Sequence, residues 1–367
     1  MTKKWSSRLT FFAFVVLMVG LGSNDSLRGI FSTIFQEHFS LTTTQLGLIV
    51  TASYIGNLVF LLVGGNLSTR FSKKRVLQVL ILIWMAALAL FAFTSNYTVL
   101  LIGMALALGS STLLNTTMNL ITPLLFATAP GFFVNFLFFT QEIGTSGSQY
   151  ILGSHANGFA FWQHTNLVLL ILGAVAFVLL LFCNVPEEAA DPADAPAQKG
   201  GYDWRIIVPY VLVFGFYFIA EHGVMNWMVA YGVDGLGLPQ ASAAKYLSVF
   251  FGGMMIGRLC LSPLVDKLGA LKSLAAFGGV SCVLYLIGSL GGAVTMPVWA
   301  ISGLSFSILY PTLVMSIRLY FPAQQVSGAA GTILSIASLA DILFNVGFGK
   351  LVDMTGYAVS IRVLPLS

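Results

Sequence analysis

The chain has 367 residues, of which 57% are apolar and 8% charged, with a mean hydropathy of +0.90 and a formal net charge of +4. Soluble domains carry roughly 25% charged residues, so a water-soluble fold is excluded, as is disorder. Three Cys exclude a disulfide scaffold, and the lack of any basic, aromatic-interleaved stretch excludes nucleic acid as a partner.

Apolar stretches of the ~20 residues needed to cross ~30 Å of hydrocarbon run along nearly the whole chain. They predict eleven spans, at 9–36, 42–64, 75–94, 98–120, 131–154, 162–183, 205–232, 240–261, 271–290, 295–319 and 326–350, followed by a stub from Gly356 to Ser367. The first span follows Lys3, Lys4 and Arg8 as a secretory signal does, but it contains Asp25 and Arg28 and no A-x-A cleavage site, which predicts a retained helix. With the N-terminus in the cytoplasm, twelve Lys and Arg fall on the cytoplasmic side against three outside, as the positive-inside rule requires. The stretch around Pro186, Glu187, Glu188, Asp191, Pro192, Asp194 and Pro196 breaks the apolar pattern most strongly. It predicts a cytoplasmic linker at 184–204 between an N-terminal six-helix bundle, 1–183, and a C-terminal bundle of five spans plus the stub, 205–367. The twelfth helix is expected to be truncated or unusually short. Cys183, Cys260 and Cys282 lie in or beside apolar runs and are expected to be buried thiols.

A displacement of 197 residues aligns two span-to-loop junctions: Tyr54, Gly56, Gly65, Leu67, Thr69, Arg70, Ser72 and Lys73 with Phe251, Gly253, Ser262, Leu264, Asp266, Lys267, Gly269 and Ala270. The pair resembles the G-x-x-x-D-R-x-G-R/K loop signature of the major facilitator superfamily, divided between the copies. The first keeps Gly65 and Arg70, and the second keeps Asp266 and Gly269. Asn24-Asp25-Ser26-Leu27, Phe39-Ser40-Leu41-Thr42, Gln45-Leu46-Gly47-Leu48-Ile49 and Tyr54-Ile55-Gly56 are similar to the fucose:proton symporter branch of that superfamily. Asn115-Thr116 and Asn119 match that branch's E-T-A-A-N stretch with Asn in place of Glu, and Asn135 and Gln141 match its fifth-span amides. Glu221, Trp227 and Tyr231 resemble the E-x5-W-x3-Y pattern of glucose-transporting relatives. The resemblance covers essentially the whole chain. It implies the major facilitator fold, two pseudo-symmetric bundles rocking around a central sugar site, usually with a proton or sodium ion carried in the same direction.

A charged side chain at the bilayer centre costs at least ~2.5–3.5 kcal/mol, so each one within a span requires a reason. Asp25 and Arg28 are three residues apart and share a helix face, which permits a structural ion pair or a site where Asp25 carries the transported proton. Gln141 and Glu142 sit about halfway along the fifth span. Neighbours point about 100° apart, so Gln141 is assigned to the sugar and Glu142 to a partner. That partner is Arg258 on the eighth span if a pair joins the two halves. The alternative pairs Arg258 with Asp341 on the eleventh. Glu221 and His222, with Asn226 and Trp227 further along, offer a carboxylate, an imidazole, an amide and an aromatic plane, a mixture suited to sugar hydroxyls and C–H faces. Glu221 is a candidate for both proton coupling and sugar binding. His222 is either an interhelical hydrogen bonder or a proton relay. Tyr310-Pro311 marks a kink, beside the cavity or within packing. Asn115 and Asn119 stack at i, i+4, as a ligand-facing pair or as packing amides. Asn24, Asn115, Asn119, Asn135, Gln141, Asn226, Trp227 and Tyr310 complete the candidate sugar contacts. Arg70, Arg258, Asp266 and Asp341 are the gating or structural charges. Gly144, Gly147, Gly252, Gly253, Gly328 and Gly331 are expected to let helices approach and slide.

The reading that unites these features is a secondary transporter, not an enzyme: a multi-pass plasma-membrane protein, monomeric in the lipid bilayer, importing a monosaccharide or related polyol with a proton or sodium gradient as the driving force and no cofactor. Its rivals are an efflux antiporter of the same fold, a transporter-like sensor or inactive fragment, and an intramembrane serine protease. The last rests on Gly144-Thr145-Ser146-Gly147 with His222 as base.

Overall fold

The computed structural model describes residues 3–126, 130–183, 185–186, 202–321 and 323–366, and within these it leaves aside the side chains of 3–6, 63–70, 130–132, 135, 262, 266 and 323–328. Among the described residues there is no strand. Hydrocarbon offers no partner for backbone N–H and C=O groups, and a helix satisfies them internally. Among the described residues, ten helical segments are long and apolar enough to cross a membrane, and an eleventh, Pro130–His155, is 26 residues long. Large apolar side chains point outward along them, Phe93 at 71% exposure and Leu343 at 74%, as a hydrocarbon surround permits and water does not.

The chain divides into two compact units, Met1–Ala189 and Ala190–Ser367. The first contains α1 (Lys3–Ile30), α2 (Ser32–Phe39), α3 (Thr43–Arg70), α4 (Lys73–Phe93), α5 (Tyr97–Leu125), α6 (Pro130–His155) and α7 (Phe159–Phe182). The first predicted span is therefore two helices, interrupted at Phe31. Polar side chains set the starts. Thr42 and Gln45 form a capping box ahead of α3, with Thr42 N–H donating to Gln45 Oε1 (2.9 Å) and Gln45 N–H to Thr42 Oγ1 (3.2 Å). Asn96 caps α5 by accepting from the N–H groups of Thr98 and Val99. Lys74 Nζ donates to the carbonyls of Leu181 (3.1 Å) and Cys183 (2.7 Å), placing a cation on the negative C-terminus of α7.

Within this unit α1 packs on α6 and α7, α3 on α5, and α4 on α5 and α7. Glycines bring the closest pairs together. A Cβ at Gly22 would stand 2.0 Å from Gln141 O and one at Gly144 2.1 Å from Val19 O, so α1 and α6 cross backbone to backbone. A Cβ at Gly56 would likewise meet Ala105 O at 2.0 Å where α3 crosses α5.

The second unit contains α8 (Trp204–Ala230), continued as a π-helical turn to Gly235, α9 (Gln240–Leu268), α10 (Ala270–Leu290), α11 (Met296–Ile301), α12 (Gly303–Phe306), α13 (Leu309–Ser316), α14 (Ala323–Thr355) and α15 (Tyr357–Ser360). Its packing repeats the first unit's scheme: α8 lies on α14 as α1 does on α6, and α9 lies on α12 as α3 does on α5. The displacement of 197 residues carries Gly56 onto Gly253, whose Cβ would meet Leu304 N at 3.0 Å at the α9–α12 crossing. The tenth predicted span is interrupted at Ser302 and again at Ser307 and Ile308. Pro311 has no N–H to donate to Ser307 O four residues back, which accounts for the expected kink. Tyr357–Leu366 forms a short helical segment against α8 and α10.

Two expectations are corrected here. Cys183 is buried, but Cys260 and Cys282 are exposed free thiols, because their helices turn those faces outward. A Cβ at Gly147 or Gly331 would meet nothing within 4 Å, so neither makes a close approach. The Gly144-Thr145-Ser146-Gly147 stretch is in part a helix crossing, with Gly144 against Val19 and Thr145 Oγ1 donating to Gly22 O (3.2 Å). Gly328 and the side chains of Arg70 and Asp266 lie outside the described residues, as does most of the predicted linker.

Candidate functional site

In the first unit, three helices bring a polar strip together. Ser111, Asn115 and Asn119 are spaced by four on α5 and therefore share one face. Ser111 Oγ donates to the Asp25 carboxylate, 3.3 Å from each oxygen, and so ties α5 to α1. Asn115 Nδ2 donates to Gln141 Oε1 (2.6 Å) and ties α5 to α6, while Asn119 Nδ2 donates to Asn115 Oδ1 (2.6 Å). The three amides thus form a directional row. Asn119 Oδ1, at one end, is buried without a hydrogen-bond partner, and the Gln141 amide N–H groups stand at the other. Arg28 is buried, its guanidinium 5.7 Å from the centre of the Tyr54 ring. Glu142 is half-buried beside Gln141. Asn135 lies outside the described side chains.

Asn24 has another task. Trp84, fully buried on α4, donates its indole N–H to Asn24 Oδ1 (3.1 Å), so this amide joins α1 to α4 inside the bundle.

In the second unit, α8 and α14 are joined by two polar contacts. His222 Nδ1 and Asp341 Oδ2 are 2.6 Å apart, and Trp227 Nε1 donates to Asn345 Oδ1 (2.9 Å). Trp227 is fully buried, with its ring 4.9 Å from that of Phe348. This corrects the assignment of Trp227 as a sugar platform, because a buried indole N–H requires an acceptor and Asn345 supplies it. Asn226 is buried as well, and the Tyr231 ring packs 6.1 Å from Trp299, so the aromatic members of the E-x5-W-x3-Y pattern belong to the core. The expected Arg258–Asp341 pair is also corrected. Asp341 pairs with His222, since α14 presents this face to α8.

Glu221 is half-buried, and both it and Arg258 act electrostatically on Tyr217 and Tyr310. Tyr217 lies 5.0 Å from Phe306 in a stack and 5.7 Å from Tyr310. A carboxylate and a guanidinium therefore stand beside a wall of aromatic faces. The residues missed in the sequence are Ser111, Trp84 and Asn345. Ser111 and Asn345 each lie four residues from a candidate, Asn115 and Asp341, and that spacing is the signal that points to them.

Comparison with known proteins places this geometry in context. The chain is 24% identical over 333 residues to the L-fucose-proton symporter of Escherichia coli K12, covering 79% of this chain and 75% of that one. It is 28% identical over 189 residues to a putative glucose/galactose transporter of Helicobacter pylori strain 26695, covering 50% of this chain and 46% of that one. Its fold matches the crystal structure of the nucleoside transporter NupG (D323A mutant) with a TM-score of 0.78 at 12% identity, covering 99% of this chain and 96% of that one. The Major Facilitator Superfamily profile matches residues 10–352, nearly the whole of the paired-bundle architecture, and the chain belongs to that family.

Proposed function

We propose that this protein imports a monosaccharide or related polyol by alternating access, with a proton carried in the same direction. The observation that carries the reading is the strip in the first unit: the Asp25 carboxylate bonded to Ser111, next to an amide row with an acceptor at one end and donors at the other. Sugar hydroxyls need both kinds of partner at once. Polar groups at this depth are costly to insert, and the row leaves the Asn119 acceptor for a ligand hydroxyl. The names of the fucose and glucose/galactose relatives support a sugar, and the first of them supports a proton. Membership of a transporter family leaves the serine protease reading without support.

Asp25 is the residue we assign to the proton. Its carboxylate lies within a helix that crosses the membrane, and it is only partly shielded, so it can exchange with water when its side of the site opens. Glu221 is assigned to sugar binding in the second unit, since a half-buried carboxylate accepts hydroxyl hydrogen bonds. The excess of basic residues on one side supports a plasma-membrane protein with a cytoplasmic N-terminus.

The test is sugar-pulsed proton movement in proteoliposomes containing an internal pH dye, with hexoses, deoxyhexoses and polyols, in sodium and in sodium-free buffer. Acidification of the lumen by one sugar, lost in Asp25→Asn while exchange of that labelled sugar persists, is the expected result. Alkalinisation would instead indicate efflux by antiport. Transport that requires sodium and moves no protons would replace the proton with sodium.

A further inference from the structure

We propose that His222 and Asp341 form a second proton-binding site, in the C-terminal bundle, and that this pair gains and loses one proton in each transport cycle. The inference rests on the proton-coupled reading above and extends it to residues outside the amide strip.

The geometry is that of a shared proton. His222 Nδ1 and Asp341 Oδ2 stand 2.6 Å apart, near the middle of the spans Trp204–Gly235 and Ala329–Thr355. The Asp341 side chain is 1% exposed, and its Oδ1 is buried with no hydrogen-bond partner. With one proton the pair is an imidazolium and a carboxylate, neutral overall. Without it a carboxylate is left charged at membrane depth with one neutral N–H donor, and with two protons the pair becomes a buried cation. A proton bound here is held between the two groups and belongs to the pair rather than to either residue. His222 is the open member, 23% exposed and stacked 5.5 Å from Phe218, so protons enter and leave through the imidazole.

Charged groups on the elements packed around α8 and α14 are Arg205, Glu221 and Asp234 on α8 and its continuation, Lys245, Arg258, Asp266 and Lys267 on α9, Arg318 after α13, Lys350 and Asp353 on α14, and Arg362 in the C-terminal segment. The nearby phenols are Tyr217, Tyr285, Tyr310 and Tyr357. Among the described residues, His222 is the ion-pair partner of Asp341.

The internal repeat supplies an independent argument. The displacement that carries Gly56 onto Gly253 carries Asp25 onto His222 and Gly144 onto Asp341. In the first unit the α1–α6 crossing is made by glycine, and Asp25 turns to Ser111 on α5. In the second unit the equivalent α8–α14 crossing holds a titratable residue on each helix. Each bundle therefore places one proton-exchanging group at the same register of its first long helix.

The chain has four histidines, so their ring nitrogens can be followed individually by ¹⁵N NMR of histidine-labelled protein in lipid nanodiscs, with His222→Gln giving the assignment. His222 is expected to titrate in a single step whose midpoint moves by about one pH unit or more in Asp341→Asn, a change of roughly ten-fold in proton affinity. A ring fixed in one protonation state across pH 5–9, or an unmoved midpoint, overturns the proposal without any transport measurement. In proteoliposomes, pulsed with the sugar that gives the largest wild-type signal, His222→Gln and Asp341→Asn are expected to cut acidification at least ten-fold. Exchange of the labelled sugar at equal pH should stay within about three-fold of wild type. Wild-type acidification in both variants means a purely structural pair and overturns the proposal. A silent wild type with intact exchange overturns the proton-coupled reading, and the transport role of the pair with it, while the NMR titration still decides whether the pair binds a proton.

Discussion

Asn115 is the hinge of the amide row, because it donates to Gln141 and accepts from Asn119 at once. Asn115→Ala separates the other two, and removing one or two neutral hydrogen bonds costs about 1–1.5 kcal/mol of binding. The expected result is a roughly ten-fold higher half-saturation for sugar exchange, read by labelled-sugar counterflow, together with a lower detergent melting temperature, because the bonds lost tie α5 to α6. Cys183 offers a prediction unconnected with transport. Burial pushes its thiol up from the ordinary value, while a hydrogen bond from Thr10 and the charge of Lys74 pull partly against that. A raised thiol is mostly protonated at neutral pH, so N-ethylmaleimide should modify Cys183 slowly, gaining about ten-fold per pH unit as the thiolate forms. Lys74→Ala removes a charge that favours the thiolate and should slow the reaction further at any given pH. The stacked Asn115 and Asn119 were legible from their spacing. The partner of Trp227 was not, because an indole N–H seeks an acceptor and nothing local distinguishes a sugar hydroxyl from Asn345.

At the scale of elements, the α1–α6 crossing has no room for a side chain. Gly22→Ala sets a methyl 2.0 Å from a backbone oxygen, that of Gln141, which cannot swing away as a side chain would. The helices must part, at a cost of about 1–3 kcal/mol, and Gln141 moves with them. We expect both a lower melting temperature in micelles and weaker sugar exchange from Gly22→Ala. Gly347→Ala, whose new Cβ meets nothing within 4 Å, should show neither change. The capping box makes a smaller claim: Thr42→Ala should cost about 1 kcal/mol of stability in the same melting assay. Span positions were readable from hydropathy, but the breaks at Phe31 and at Ser307–Ile308 were not. An interrupted helix and a continuous one have the same composition. Pro311 announced only that some disturbance would lie nearby.

For the whole molecule, orientation is the property most directly written in the charges. If the linker is cytoplasmic, Lys199→Cys in a background lacking Cys183, Cys260 and Cys282 should react with a membrane-impermeant maleimide in intact cells only after permeabilisation. Labelling of intact cells would invert the topology. Hydropathy alone determined that this is a helical membrane protein, because the bilayer demands a fixed length of apolar helix and rejects most charge. The 197-residue repeat likewise determined that two similar bundles follow one another, with Gly56 and Gly253 at equivalent crossings. Only the tertiary structure decided the partners: His222 and not Arg258 for Asp341, Asn345 for Trp227, Ser111 for Asp25. Which side chains meet depends on how far each helix is rotated about its axis and slid along it against a neighbour distant in the chain. A shift of one residue, 1.5 Å of rise and 100° of turn, exchanges one partner for another while leaving every hydropathy window unchanged.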